Sequence, residues 1–196
     1  VIYTLAIPTS NTERIKAEKM GLPMLTYPEA LGILFNDKYG IAICGTHGKS
    51  TTTSMASLVL TGGGLDPSVV VGSKVPAFVR LHEVSARQGS NLRIGNSKYF
   101  IIEACEYERA FMEYYPKIII LNNIELDHTD YYKNIEDYKS AFDEFIGHLS
   151  ENGVLILNGD GEEMTNFQCQ MTNKFQNSNV KLISFGFGEN SDVRGH

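Results

Sequence analysis

Ile41-Ala42-Ile43-Cys44 is an apolar run that stops at Gly45, and Gly48-Lys49-Ser50 then opens a helix-like stretch. These residue types, in this order, can hold a triphosphate. Glycine lets the backbone approach phosphate oxygens because no Cβ stands in the way. The first N–H groups of a helix have no partner within the helix and point at whatever sits at its N-terminus. Lys49 adds a mobile positive charge for the β- and γ-phosphates, and the Ser50 hydroxyl is placed to ligate Mg²⁺. The usual phosphate-loop pattern needs a glycine where this chain has Ile43; the early glycine is Gly45, three residues before Gly48. The strand-like run before the loop and the helix-like run Ser54 to Leu60 after it supply the context the motif requires. Thr51, Thr52 and Thr53 are poor helix formers that suit either phosphate contact or ordinary satisfaction of a helix start. His47 reads as an orienting residue whose side chain need not touch phosphate.

Phosphate chemistry needs a cation, and a cation needs oxygen ligands. Glu103 follows the apolar run Tyr99 to Ile102, where an open α/β sheet places its ligand-binding carboxylates. It is therefore a candidate metal ligand. Glu106 and Glu108 follow closely and read equally as a solvated acidic loop. A second polar cluster, Asn122 to Asp130, directly follows the run Ile118 to Leu121. His128 within it is either a surface histidine or a ligand beyond the end of a central strand. Imidazole can bind Mg²⁺ although hard cations prefer oxygen, which Asp127 and Asp130 offer directly or through water. Tyr114, Tyr115, Tyr131 and Tyr132 read as packing residues.

The elements that must position these groups alternate. Asn11 or Ser10 caps a helix running to about Met20 and Gly21, and Pro28 begins a second that carries Leu31 and Leu34. Strand-like runs at Val69–Val71, Tyr99–Ile102, Ile118–Leu121, Val154–Leu157 and Leu182–Phe185 are compact and apolar, as strands covered on both faces must be. Ile135, Tyr138, Phe142, Phe145 and Leu149 recur at helical spacing after an Asn134 cap. Residues 73–97 read as irregular or hairpin-like. The expected fold is α/β, with a mainly parallel sheet flanked by helices. Val1 to Ile7 reads as a buried strand with nothing before it, which suggests a piece of a longer protein, and a domain boundary falls near Asn36 to Lys38.

The 196 residues carry a net charge of −6 and a pI near 5.4, which argues against a general nucleic-acid binder. Cys44, Cys105 and Cys169 form no paired motif, which fits a reducing compartment rather than a disulfide framework or zinc site. No run is long and apolar enough to span a bilayer. A guanine-selecting N-K-x-D string is missing, which lowers the reading as a GTPase.

Three segments together resemble the Mur ligase family: Gly45 to Thr53, Glu103-Ala104-Cys105-Glu106-Tyr107, and Asn123 to Tyr131. Ala6-Ile7-Pro8 and Asn11 are similar to the end of that family's uridine-nucleotide domain. The resemblance implies a phosphate-loop central domain over residues 39–196, incomplete at its C-terminus. Residues 1–38 are then a remnant of the Rossmann-like UDP-substrate domain, with the amino-acid-binding domain lacking. It further implies an ATP-dependent, amide-forming ligase of bacterial peptidoglycan synthesis, cytoplasmic, that joins L-alanine to UDP-N-acetylmuramate through an acyl phosphate. Fold relatives adding a later peptide amino acid or a folate glutamate, and a non-catalytic ATP-binding piece, are the alternatives. ATP contacts are expected from Gly45, Thr46, His47, Gly48, Lys49, Ser50, Thr51 and Asn123. One Mg²⁺ is expected at Ser50 and Glu103, and a second at His128. Lys49, Glu103 and His128 are the expected catalytic set. Cys105 stands where family members often carry aspartate, so it is given no ligand role. The chain alone is expected to show little ligation.

Overall fold

The computed structural model describes residues 1–78 and 89–195. The chain runs β1 (Ile2–Tyr3), α1 (Thr12–Lys19), β2 (Leu25–Thr26), α2 (Tyr27–Asn36), β3 (Tyr39–Cys44), α3 (Lys49–Gly62), β4 (Ser68–Val75), β5 (Ser90–Arg93) and β6 (Tyr99–Glu103). A 3-10 segment (Tyr107–Glu113) leads to β7 (Ile118–Leu121), α4 (Ile135–Ile146), β8 (Val154–Asn158), α5 (Glu162–Lys174), β9 (Lys181–Gly186) and β10 (Val193–Arg194). Among the described residues, eight strands form one sheet in the order β10-β9-β8-β7-β3-β6-β4-β5. Every pairing in it is parallel except β4 with β5. The expected α/β architecture with helices on a mainly parallel sheet is what forms. Part of the stretch expected to be irregular, residues 79–88, lies outside the described residues.

Side chains alternate across β3. Ile41 and Ile43 join Val69, Val71 and Ile101 in a core on the α3 side, where Ala56 and Leu60 pack. Ala42 and Cys44 face the larger core, with Phe35, Phe111, Phe142 and Phe145 from α2, the 3-10 segment and α4. Both faces are thus covered, which is why the central strands are continuously apolar. Strand order reverses at β3. The crossover through α3 leads to β4 on one side of β3, whereas β7 lies on the other. The crevice beyond the carboxyl ends of β6, β3 and β7 is therefore the expected ligand position of such a sheet.

The N-terminal run corrects one expectation. Only Ile2–Tyr3 is strand, it pairs solely with β2, and Ile2 is 62% exposed. In contrast, α2 belongs physically to the large sheet. Phe35 is fully buried against Phe100 and Tyr114, and Asn36 bridges Glu113 O and Tyr115 N. Thr26 and Glu29 close a reciprocal capping box at its start, so the helix begins one residue before Pro28. No described helix is long and apolar enough to cross a membrane.

Candidate functional site

Three adjacent strands deliver the three polar segments to one place. Ile43 pairs with Glu103 across β3 and β6, and Cys44 pairs with Leu121 across β3 and β7. The ladder continues past the strand ends: Ala104 N donates to Ile43 O, and Asn122 N to Cys44 O. The strand ends are thereby level, and the loops that follow share one rim.

The phosphate-loop candidate turns on two glycines in backbone conformations that side chains disfavour, Gly45 at φ 128° and Gly48 at φ 77°. A Cβ on Gly45 would lie 2.9 Å from Asn123 O, so the loop lies directly on the segment after β7. Thr46 N donates to Asn123 O, and His47 N donates to Asn123 Oδ1 at 2.8 Å. Asn122 and Asn123 amides both donate back to His47 O, at 3.1 and 3.2 Å. The Asn123 side chain thus holds the loop. Thr46 is buried, with its hydroxyl bonded to Glu125 and to Tyr138. The His47 ring is exposed and faces Glu125 rather than the loop interior.

Gly48 is the N-cap of α3, and no side chain caps that helix. Its first N–H groups therefore face the cleft without competition from a protein acceptor side chain. The cleft has a volume of about 350 Å³ and is lined by Thr46, His47, Gly48, Lys49, Ser50, Thr51 and Glu103. All but one belong to the loop and the start of α3.

Ser50 Oγ donates to Glu103 Oε1 at 3.0 Å. Glu103 Oε2 accepts from Gly72 N at 2.6 Å, and a Cβ on Gly72 would come within 3.0 Å of that carboxylate. Glu103 is therefore braced from β4 while its other oxygen meets the Ser50 hydroxyl. Two hard oxygen donors side by side, beside unpaired helix amides, suit Mg²⁺ and its phosphate ligands. Lys49 Nζ donates to Gly45 O at 2.7 Å, Thr46 O at 3.0 Å and Glu106 Oε1 at 3.0 Å.

Glu106 does not sit in a solvated loop. It is fully buried, whereas Glu108 is exposed. Its burial comes from a sharp bend: Glu108 and Arg109 are consecutive non-glycine residues in the left-handed region, at φ 50° and 56°. Tyr138 OH donates to Glu106 Oε1, and burial together with that carboxylate pushes the Tyr138 phenol well above its ordinary range. His128, also left-handed at φ 51°, lies with Nε2 3.7 Å from Glu106 Oε1. Tyr107 packs on the His128 ring at 4.7 Å between centroids and donates to Asp130 at 2.8 Å. That bond raises the Tyr107 phenol. His128 thus stands beside Glu106 rather than beside Ser50 and Glu103. The four residues that sequence reasoning does not assign are Glu106, Tyr138, Gly72 and Asn122. Glu106 stands three residues beyond a candidate ligand, but nothing local distinguishes it from a solvated acidic residue.

Among the tyrosines, Tyr114 and Tyr132 are buried, as packing residues are, while Tyr115 stacks on His148 and Tyr131 lies against Tyr107.

The family model described as Mur ligase middle domain matches residues 43–196. A protein of Clostridium novyi (strain NT) named UDP-N-acetylmuramate–L-alanine ligase is 40% identical over 195 residues, 99% of this chain and 39% of its own length. A protein of the same name from Sulfurihydrogenibium sp. (strain YO3AOP1) is 37% identical over 196 residues, 100% of this chain and 39% of its own. The chain thus spans about two fifths of the length of these curated relatives. Among solved structures, the UDP-N-acetylmuramate:L-alanyl-gamma-D-glutamyl-meso-diaminopimelate ligase from Neisseria meningitides superposes with a TM-score of 0.71 at 26% identity, over 94% of this chain and 58% of that one. The MurF ligase from Thermotoga maritima, solved in complex with ADP, shares the fold at a TM-score of 0.60 and 14% identity, over 94% of this chain and 41% of that one.

Proposed function

The chain belongs to the Mur ligase family through its middle domain, and from that premise we propose that it is the ATP-binding part of an enzyme that joins L-alanine to UDP-N-acetylmuramate. The relatives carrying that activity in their name match nearly the whole chain at about 40% identity, which favours this reading over other ligases of the fold. The observation that carries it is the convergence of an uncapped α3 N-terminus, Lys49 and the Ser50–Glu103 pair on one cleft.

In the proposed reaction ATP phosphorylates the lactyl carboxylate, and the amine of L-alanine displaces phosphate from the acyl phosphate to form the amide. Two anions must meet in the first step, so preorganised positive charge matters more than a general base. The amides of Gly48 to Thr51 bind phosphate oxygens. Lys49 stabilises charge on the transferred group. Ser50 and Glu103 are the residues that would hold Mg²⁺, and His128 the residue that would hold a second ion. Those ions supply Lewis-acid neutralisation of the phosphate and carboxylate oxygens. Asn123 and His47 shape the loop.

Residues 1–38 are proposed as the end of the preceding UDP-substrate domain, with α2 as a junction docked on the large sheet, and 39–196 as the ATP-binding domain. The amino-acid pocket is assigned to the part of the longer relatives that this chain does not span. A bacterial cytoplasmic location follows from the proposed use of ATP and a nucleotide sugar.

Two measurements test the reading. ATP should bind the chain at least tenfold more tightly than GTP, and the protein containing it should form amide from UDP-N-acetylmuramate with L-alanine in preference to glycine, L-serine, D-glutamate and diaminopimelate. Equal or better GTP binding, or preference for another amino acid, rejects it. The chain alone should yield little or no amide.

A further inference from the structure

Among the described residues, Glu106 is the only buried carboxylate. It is completely buried, and its two oxygens are treated differently. Oε1 receives Lys49 Nζ at 3.0 Å and Tyr138 OH at 3.1 Å, with His128 Nε2 at 3.7 Å. Oε2 is buried without any hydrogen-bond partner. An orphaned carboxylate oxygen is costly, and a residue kept only for packing would not retain it. The bend that buries Glu106 is itself strained, since two successive left-handed non-glycine residues cost on the order of 1 kcal/mol each. Tyr132 OH anchors the same segment by donating to Glu106 O.

The Lys49 ammonium has three protons, and all three are engaged, by Gly45 O, Thr46 O and Glu106 Oε1. A phosphate oxygen can be met only by releasing one of them. The two carbonyls belong to the loop that wraps the phosphates. The Glu106 bond is the one that reaches to another strand end. Its release leaves a buried carboxylate without its cation. His128 Nε2 stands 3.7 Å from the same oxygen, just outside hydrogen-bond range.

Resting on the reading of residues 45–51 as a phosphate site, we propose that Glu106 is a positioning residue shared by Lys49 and His128: when phosphate engages Lys49, the carboxylate closes on His128 Nε2. The imidazole then donates its Nε2–H to Glu106, which orients the ring. Carboxylates orient ligating histidines in this way. Occupation of the loop is thereby transmitted to a ring carried on a different strand end, through one side chain.

The test is NMR of this chain labelled with ¹⁵N-histidine, titrated with ATP in EDTA, the His128 ring signals being assigned by their loss in His128→Asn. In the wild type, ATP should drive the ring nitrogens to the Nε2–H pattern, and adenosine should not. In Glu106→Gln, which retains an acceptor but not the charge, ATP should still bind while the ring response falls by at least half. Glu106→Met, which fills the space without a buried charge, is run alongside and should abolish the response. A purely structural Glu106 would lower the unfolding midpoint and leave the ring response intact. A response in both variants equal to that of wild type, with ATP bound, overturns the inference alone. No ATP binding by the wild type overturns the phosphate-site reading and this inference with it.

Discussion

The Ser50 hydroxyl and the Glu103 carboxylate, which end up on different elements, meet at 3.0 Å at the mouth of α3. Both are oxygen donors that would hold the same divalent ion, so the two residues are expected to act as a unit. Glu103→Gln is expected to weaken ATP binding in Mg²⁺ by roughly tenfold, about 1.4 kcal/mol, and to change binding in EDTA much less. Calorimetric titration in both buffers checks this; equal losses remove Glu103 from metal binding.

Lys49 serves the fold as well as the proposed phosphate site. Its partner Glu106 is fully buried and Lys49 is only 14% exposed, so Lys49→Ala leaves a carboxylate stranded inside the protein. The expected cost is about 3 kcal/mol of unfolding free energy, and adding Glu106→Gln should recover a large part of it. Urea unfolding of both single variants and the double variant measures this. Additive losses would show that the pair is energetically silent. Independently, Lys49→Ala should reduce ATP affinity by about tenfold or more through the lost charge-assisted bond.

Gly72 lies within β4, but its role is at the site. A methyl group there would press within 3.0 Å of Glu103 Oε1 and 3.2 Å of its other carboxylate atoms. Gly72→Ala should cost several-fold of the Mg²⁺-dependent ATP affinity while barely shifting the thermal midpoint. Gly45→Ala is the contrasting case. Its left-handed φ and the 2.9 Å approach to a main-chain carbonyl should cost stability itself, on the order of 2 kcal/mol. Matching thermal losses in the two variants would refute the distinction.

Asp66 ties the start of β4 to the turn before β6. It accepts from Asn96 N at 2.8 Å and from Arg93 at 2.6 Å, and these bonds hold its carboxyl below the usual range. A carboxyl more acidic in the folded than in the unfolded chain adds stability above its unfolded pKa, and that stability disappears as pH falls through its folded value. Melting temperature should therefore fall below about pH 4, and Asp66→Asn should flatten part of that acid limb. An unchanged acid limb in the variant would assign the loss to other carboxyls.

Much of the sheet was legible because its strands carry a simple signal. Ile118 to Leu121 and Val154 to Leu157 are short apolar runs, as helices on both faces demand. α4 was legible from Tyr138, Phe142 and Phe145, which share one buried face. α5 was not: Met164, Phe167 and Met171 are its only buried residues, diluted among glutamine, asparagine and threonine, and no side chain caps it. In the run Val1 to Ile7 the strand is shorter than its apolar composition suggests, Ile2–Tyr3 alone, paired with β2.

The candidate site divides in the same way. Lys49, Ser50 and Glu103 could be found because each stands at or just beyond a strand end, and a parallel sheet brings such positions together. Glu106 could not be placed. Beside Glu103 and Glu108 it has the composition of a wet loop. What buries it is a left-handed bend and two tyrosines, Tyr132 and Tyr138, contributed by the chain beyond β7. Long-range enclosure of that kind leaves no local pattern.

The Ile43–Glu103 pairing between β3 and β6 has a consequence for how the molecule can vary. Sliding β6 by one position would flip its side chains to the opposite face, aiming Glu103 away from Ser50 and an isoleucine towards it. Greasy residues such as Phe100 and Ile102 therefore act as an alignment key for chemistry they never touch. A mutation deep in that seam could silence the cleft while sparing every polar group in it.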